Sequence, residues 1–153
     1  MHRLARLVLR LGLLALIGFG AMPQAARAQS NVEVATSWGL IGTWRIDCKQ
    51  PASRDNPDLK YVVRDGKLFH DRDFGGTTDS HQVIVATQRP DKSLELVVNF
   101  NEFNETRQYA FVHGRSDTLR TMYNRNVDTG DYSIREGVMA ASGQPSSWQF
   151  RCS

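Results

Sequence analysis

The stretch "IGTWRIDCK", residues 41–49, joins a Gly-x-Trp triplet to an alternating apolar run that ends in a cysteine. Successive side chains of a β-strand point to opposite faces. Trp44, Ile46 and Cys48 would therefore share one face of a strand, and polar residues would occupy the other. The stretch predicts a half-buried β-strand over residues 40–49, with its tryptophan directed into the protein.

The first 28 residues have the three parts of a secretory signal peptide. Three arginines supply the positive start, an apolar segment covers residues 11–22, and a small-x-small cleavage site ends at Ala28. A membrane-anchoring helix is the alternative, but the apolar run is shorter than the ~20 residues that a membrane span needs. We expect the mature chain, residues 29–153, to be periplasmic or secreted and not anchored in a membrane.

Removal of this leader changes the charge of the protein. The full chain has 19 basic and 16 acidic residues and a net charge of +3. Four arginines lie in the leader, so the mature chain has 15 basic and 16 acidic residues and a net charge of −1. A nucleic-acid-binding surface needs clustered lysine and arginine. The mature sequence shows no such cluster, and we expect no nucleic-acid partner.

The mature chain is dominated by short runs rich in Val, Ile, Tyr, Phe and Thr, separated by Gly, Pro, Asn and Asp. Asp65-Gly66 is a strong signal for a two-residue hairpin turn. No stretch sustains helical apolar spacing, so we expect no helix. The pattern predicts a single all-β domain over residues 29–153, an antiparallel meander of about eight to nine strands that closes as a barrel or packs as a sandwich. The predicted strands are residues 40–49, 59–64, 67–74, 81–88, 94–100, 105–112, 118–127, 132–139 and 147–152.

Cys48 and Cys152 are the two cysteines of the chain. In an exported domain, two cysteines most simply form a disulfide, and two free buried thiols are the alternative. Each lies at the carboxyl end of its predicted strand, on the apolar side, with Trp148 and Phe150 sharing the face of Cys152. An odd count of nine strands makes the last strand parallel to the first. We therefore expect a disulfide that closes the seam between parallel neighbours.

Gly42-Thr43-Trp44, at the start of the first strand of an exported all-β chain, resembles the signature of the lipocalin-like (calycin) barrels. In that family the tryptophan plugs the closed end of the barrel and an arginine from a late strand packs across it. The resemblance implies these structural roles for Trp44 and Arg151, with Arg120 and Arg135 as alternatives for the arginine. The chain is shorter than ordinary lipocalins and lacks their helix before the final strand.

Motifs of enzymes are not apparent in the sequence. The chain has no Gly-x-Ser-x-Gly, no His-Glu-x-x-His and no phosphate-binding loop. His70, Asp71, Asp73 and His81 could gather as metal ligands, but His70 and the two aspartates would point to opposite faces of their strand. A solvated polar hairpin is the simpler interpretation. We expect no catalytic residues, no metal and no cofactor.

Three neighbouring predicted strands carry charged and aromatic side chains on the faces that also hold apolar residues. If these faces point inward, an otherwise apolar barrel contains polar groups of the kind found in small-molecule sites. An arginine fork beside a tyrosine hydroxyl suits an acidic head group. We expect a small apolar or amphipathic ligand, with its tail in the barrel. The candidate ligand-binding residues are Arg107, Tyr109, Tyr123, Arg125 and Glu136.

Three alternatives to this site remain open. An arginine and Glu136 could pair as internal structure, or the barrel could be filled by its own side chains. A one-residue change of register would turn the whole face outward.

The competing function is that of an inhibitor or interaction module, because the chain is similar to small exported barrels that inhibit lysozyme or proteases. The partner would then be an exported protein, bound by the arm at residues 29–37 or by loops such as "NFNEFNE", residues 99–105.

Overall fold

The structure is a computed structural model, which describes residues 29–152. The expected signal peptide lies outside the described residues. Those residues form a closed, eight-stranded antiparallel β-barrel with two further strands, one short helix and one disulfide. The all-β prediction and the prediction of a barrel are confirmed, and the sandwich alternative is not what the chain forms.

The elements follow the predicted turns closely. β5 spans the predicted residues, and the Asp65-Gly66 turn joins β2 to β3. The elements are α1 (Asn31–Trp38), β1 (Gly42–Arg45), β2 (Asp58–Arg64), β3 (Lys67–Asp73), β4 (Thr78–Gln88), β5 (Leu94–Phe100), a 3-10 turn (Asn101–Phe103), β6 (Glu105–His113), β7 (Thr118–Asn126), β8 (Tyr132–Arg135), β9 (Val138–Met139) and β10 (Trp148–Cys152).

Strands β1 to β7 pair in sequence, and β10 closes the barrel by pairing with both β1 and β7. The β8–β9 hairpin lies beside the other half of β7 and remains outside the barrel. The sequence predicted one strand over residues 132–139. Glu136 and Gly137 instead both have positive φ angles, 53° and 73°, and turn the chain back on itself, a conformation typical of two-residue hairpins.

The closing strands are antiparallel, which corrects the predicted parallel seam. In this pairing Trp44 of β1 lies opposite Arg151 of β10. The β8–β9 turn divides one predicted strand into two, so residues 29–152 contain ten strands, and with an even number the last strand runs antiparallel to the first. Cys48 also lies in a turn after β1 and not on the strand. The disulfide itself is confirmed: Cys48 and Cys152 are bonded, with 5.5 Å between their Cα atoms.

The face assignment of β10 was also wrong. Trp148 and Phe150 are 40% and 46% exposed. The alternate residues point inward, because Arg151 extends over the ring of the buried Trp44 and Gln149 pairs with the buried Leu119. Sequence alternation identified the two faces of this strand but assigned the apolar one to the wrong side.

Helix α1 corrects the expectation that the chain has no helix. Ser30 and Glu33 form a capping box: the Ser30 hydroxyl accepts from the Glu33 amide, and the Ser30 amide donates to the Glu33 carboxylate. Gly39, at a φ of 85°, ends the helix. The eight-residue helix is too short to show a sustained apolar period, although the Ser-x-x-Glu signal is present in the sequence.

The same helix covers one end of the barrel. Val34, Ala35 and Trp38 are buried. The indole of Trp38 stacks on His113 at 3.8 Å between ring centroids and donates to the carbonyl of Lys92. These contacts join α1 to the β4–β5 and β6–β7 turns, so this end of the barrel is closed.

Trp44 and Arg151 complete the closed end. The Arg151 guanidinium lies 4.3 Å from the centroid of the Trp44 ring, and the indole donates to the carbonyl of Leu40. Arg151 also donates to the carbonyls of Gly39 and Ile41, and to Asp117 at 2.6 Å. The arginine thereby ties the segment after α1 to the last strand.

Gly42 leaves the space that Arg151 needs. Its φ is 141°, and a Cβ added there would lie 2.7 Å from Nη1 of Arg151. We expect Gly42→Ala to lower the free energy of unfolding by about 2–3 kcal/mol, since it adds both backbone strain and a clash. Urea unfolding followed by circular dichroism would measure this loss.

Gly76→Ala is the matched control for this substitution. Gly76 also has a positive φ, 112°, but a Cβ there meets no atom within 4 Å. We expect it to cost only the backbone strain, about 1 kcal/mol. Equal losses for the two variants would show that the contact with Arg151 contributes nothing.

Candidate functional site

A cavity of about 340 Å³ lies at the end of the barrel opposite α1. Its walls come from the ends of β3, β5, β6 and β7, from the 3-10 turn and from β8, and we call it the mouth. Three aromatic rings, two arginines and several polar groups surround it. The residues of the mouth are Arg72, Phe100, Phe103, Glu105, Arg107, Tyr109, Asn124 and Ser133.

Arg107 is held in place on one side of the mouth. Its guanidinium donates two hydrogen bonds to Glu105, at 3.0 and 3.1 Å, and a third to the side-chain oxygen of Asn124 at 3.0 Å. Glu105 also accepts from Asn126 at 2.8 Å. The hydrogen bonds from Arg107 hold the pKa of Glu105 below its usual value. Arginine and carboxylate therefore position each other.

Arg72 has a similar arrangement on the opposite side. It donates from both Nε and Nη2 to Asp79, and it lies over the ring of Phe100 at 4.7 Å. Burial opposes ionisation of Asp79, but the hydrogen bonds and charge of Arg72 outweigh it and lower the pKa of that carboxyl. The buried His81 lies 3.2 Å from the same carboxylate. The charges of the two arginines at the mouth are thus matched by two carboxylates.

Stacked rings form the floor of the mouth and fill the barrel beneath it. Phe100 and Tyr109 lie 6.5 Å apart between centroids, and Tyr109 stacks on Phe111 at 5.9 Å. Burial raises the pKa of Tyr109 to about 12, so its hydroxyl stays protonated. Below these rings, Tyr61 stacks on His70 at 4.6 Å. The side chains of Tyr61, Leu68, Leu96 and Phe111 beneath the mouth are 0–2% exposed, so the lower interior leaves no open space for a long ligand tail.

His70 is the least expected residue of this interior. It is 3% exposed, and its Nδ1 atom has no hydrogen-bond partner in residues 29–152. Burial, reinforced by the nearby charge of Arg72, lowers the pKa of His70 to about 3. The imidazole is therefore neutral at neutral pH and serves as a flat ring in the stack.

The five predicted ligand residues do not come together. Arg107 and Tyr109 line the mouth. Tyr123 and Arg125 point outward with Ala110 and Gln108, their partners across the strand pair. The phenol of Tyr123 donates to Glu95, on the outside of β5. Glu136 lies in the exposed β8–β9 turn. The prediction of one shared inward face is therefore wrong for Tyr123, Arg125 and Glu136.

A β-bulge causes this difference. The pairing of β6 with β7 shifts between Ala110 and Phe111. Beyond the shift, Tyr109 lies opposite Asn124 and Arg107 opposite Asn126. The two asparagines thus take the inward positions that unbroken alternation gives to Tyr123 and Arg125.

Other residues of the mouth were missed by the sequence interpretation. Arg72 shares a face of β3 with the alternate residues Leu68 and His70, so strand alternation predicts that its side chain points inward with theirs. Asn124 shows no such signal, because its orientation depends on the bulge. Phe103 enters the mouth from the 3-10 turn after β5, a position that strand periodicity does not predict.

A second cleft, of about 600 Å³, lies at the barrel wall formed by β2, β3 and β4. It contains several aspartates, but Asp58 pairs with Arg45 and Asp71 pairs with Arg64. Asp71 follows His70 directly on β3, so their side chains lie on opposite faces of the sheet. His70 lies opposite His81 in the neighbouring strand, and Asp71 lies opposite Ser80. Within residues 29–152, no group of three or more metal-ligating side chains is positioned to hold a metal ion.

Comparison of the chain with protein-family models, with curated proteins and with solved structures gave no match. The helices in the described part of the chain are too short or too polar to cross a membrane.

Proposed function

We propose that this protein is an exported, lipocalin-like barrel that binds a compact apolar or amphipathic molecule at its mouth. The observation that carries the proposal is the 340 Å³ cavity with aromatic walls and two positioned arginines. Its volume falls within the range of small-molecule sites, about 300–1,000 Å³, and such sites combine apolar walls with a few placed polar groups.

The closed end supports the lipocalin-like assignment. The Gly-x-Trp triplet begins β1, and the arginine predicted from the resemblance, Arg151, lies across the Trp44 ring. The contact joins residues 107 positions apart in the sequence, so the three-residue motif and the tertiary contact are separate observations. Export is proposed from the leader sequence and is supported by the disulfide.

The filled interior defines the shape of the proposed ligand. Its apolar part would be short and planar, stacking on Phe103, Phe100 and Tyr109 rather than entering the barrel as a chain. Its polar group would accept hydrogen bonds from Arg107. An acidic group must compete with Glu105 for that arginine, so a single, delocalised negative charge or a neutral acceptor fits better than a multiply charged group.

A binding role is favoured over catalysis and over inhibition through a free arm. The arginines and carboxylates of the mouth hold one another in ion pairs, an arrangement that fixes positions rather than preparing a proton acceptor. Most of the arm proposed as an inhibitory segment, residues 29–37, forms α1, and Val34 and Ala35 of the arm are buried against the barrel. It is therefore not free to enter a partner's active site.

The test uses 1-anilinonaphthalene-8-sulfonate, a fluorescent probe with a planar apolar body and a single charge. We expect Phe103→Ser to weaken binding of the probe roughly tenfold, because an exposed aromatic anchor is lost. Phe103 is 58% exposed, so its replacement should leave the unfolding temperature nearly unchanged. Fluorescence titration measures the affinity.

Ile84→Ser is the matched control, since Ile84 is an apolar side chain on β4, 43% exposed, that lies outside the mouth. It should change the affinity by less than roughly twofold, as expected for a residue outside the site. Equal losses for the two variants, or no saturable binding, would refute the mouth as the site. Native mass spectrometry of protein made in a bacterial periplasm would then show whether any cargo is retained.

A further inference from the structure

The outer wall of the barrel carries a row of exposed aromatic residues that the mouth does not use. Trp148 and Phe150 lie on β10, and Tyr132, 36% exposed, lies on β8. Both strands border the same edge of β7. Together with the outward residues of β7 they form what we call the outer strip: Arg120, Arg125, Tyr132, Trp148 and Phe150.

The two arginines of the outer strip differ from most others in the structure. Six arginines form ion pairs within 3 Å of a carboxylate: Arg45, Arg64, Arg72, Arg89, Arg107 and Arg151. Arg120 and Arg125 have no carboxylate partner in residues 29–152. They lie instead near aromatic rings, 5.8 Å from Trp148 and 6.0 Å from Tyr132. The positive charge of the outer strip is therefore not neutralised by the described part of the chain.

The hydrogen bonds of the two arginines also leave their positive charges without a carboxylate partner in residues 29–152. Arg120 donates to the carbonyl of Gly137 at 2.6 Å and to the hydroxyl of Ser146 at 3.1 Å, so neutral groups position it without removing its charge. The Nε atom of Arg125 is buried and has no acceptor in residues 29–152. Because that atom is buried, an external acceptor on this face could reach only the terminal nitrogens of the Arg125 guanidinium.

The shape of the outer strip suits an extended segment. From the position of Phe150, opposite Thr118, to Arg125 it follows β7 over eight residues, and the seven steps between them span about 23 Å at ~3.3 Å per residue. Strand addition is not available on this side, because the amide of Met139 on β9 already donates to Gln144. A partner would therefore lie across the face rather than extend the sheet.

We propose that the outer strip binds an acidic segment of another protein that carries at least one aromatic or large apolar residue. Arginine, tryptophan and tyrosine are the residues that dominate binding energy at protein interfaces. Of the acidic residues near the strip in the chain, Asp117 is paired with Arg151 and Glu136 lies 4.0 Å from Arg135. The arginines of the strip are therefore left to pair with a narrow acidic segment of a partner.

Trp148 provides the readout. The chain has three tryptophans, and the other two, Trp38 and Trp44, are 6% and 0% exposed. A neutral quencher such as acrylamide should therefore act chiefly on Trp148. The probe is a peptide of sequence Asp-Glu-Asp-Phe-Asp-Glu-Asp, labelled with fluorescein for anisotropy and unlabelled for quenching. We expect saturable binding, weakened by salt, that protects Trp148 from acrylamide.

Substitutions test whether the outer strip is the binding surface. Phe150→Ser and Arg125→Gln should each weaken binding of the peptide roughly fivefold or more, as loss of a central contact does. Arg64→Gln, an arginine already paired with Asp71 on another wall, is the matched control and should have little effect. Phe103→Ser at the mouth should also have little effect, which separates this proposal from the one for the mouth.

Three results would overturn the proposal. They are absence of peptide binding, equal loss in the Arg64→Gln control, and equal binding of a peptide in which lysine replaces every acidic residue. Vesicles containing phosphatidylglycerol should not protect Trp148. Protection by the vesicles but not by the acidic peptide would assign the outer strip to a membrane surface instead. Circular dichroism melts confirm that each variant is folded.

Discussion

Replacement of both cysteines, Cys48→Ser with Cys152→Ser, is expected to lower the free energy of unfolding by about 4–5 kcal/mol. The bond joins residues separated by 104 positions, so most of residues 29–152 lie within one closed loop. Its loss gives the unfolded chain far more conformational freedom, and it leaves the seam between β1 and β10 held only by hydrogen bonds and packing. Urea unfolding at pH 7.5, followed by circular dichroism, measures the difference.

The control for this prediction is the wild-type protein under reducing conditions. Reduced wild type and the double serine variant should unfold at the same urea concentration, since both lack the bond. If reduction changes the free energy of unfolding of the wild type by less than about 1 kcal/mol, the loop-closure argument fails. In that case the barrel contacts alone would stabilise the closing seam.

The second large effect is the dependence of stability on pH through His70. The folded protein keeps this histidine neutral, with a pKa of about 3, whereas the usual value is 6.5. The unfolded chain therefore binds a proton below pH 6.5 that the folded chain does not. Above pH 6.5 the neutral His70 does not reduce the free energy of unfolding. As the pH falls from 6.5 toward 3, proton binding by the unfolded chain lowers that free energy by up to roughly 4–5 kcal/mol.

His70→Phe should remove that dependence while keeping a flat ring against Tyr61. At pH 5, protonation of His70 in the unfolded chain lowers the free energy of unfolding of the wild type by about 2 kcal/mol relative to pH 7.5. We expect the variant to lose about 2 kcal/mol less than the wild type between these two pH values. The measurement is the urea midpoint at each pH, with the free energy taken by linear extrapolation.

Val83→Ala is the matched control for the histidine variant. Val83 is a buried, uncharged neighbour on β4, and its truncation should cost about the same free energy at both pH values, because it only leaves a cavity. If His70→Phe behaves in the same way, and the pH dependence of the wild type is retained, the assignment of the acid sensitivity to His70 is wrong.

Prediction from the sequence succeeded where local patterns suffice. β5 begins and ends at the predicted residues, because its alternating side chains lie between strong turn signals. The Gly-x-Trp triplet identified Trp44 as a residue of the closed end, and the family resemblance identified Arg151 among three candidates. Helix α1 was missed although its capping box is visible, since an eight-residue helix shows too little periodicity to be recognised.

Prediction of the site failed where one residue changes the register. The bulge between β6 and β7 turns Tyr123 and Arg125 outward and brings Asn124 inward. Nothing in the local composition distinguishes this arrangement from unbroken alternation, because both faces of β7 carry polar residues. The inward position of Arg151 likewise depends on its contact with Trp44, and that contact directs the aromatic residues of β10 to the outer wall.

By itself, the sequence determined the all-β class, most strand positions and the pairing of the two cysteines. These properties depend on alternation, on turn chemistry and on the number of cysteines, all of which are local or countable. Only the tertiary structure decided which polar residues meet at the mouth and which arginines of the outer strip have no carboxylate partner within residues 29–152. Strand register and bulges decide both, because a shift of one residue reverses the direction of every side chain that follows.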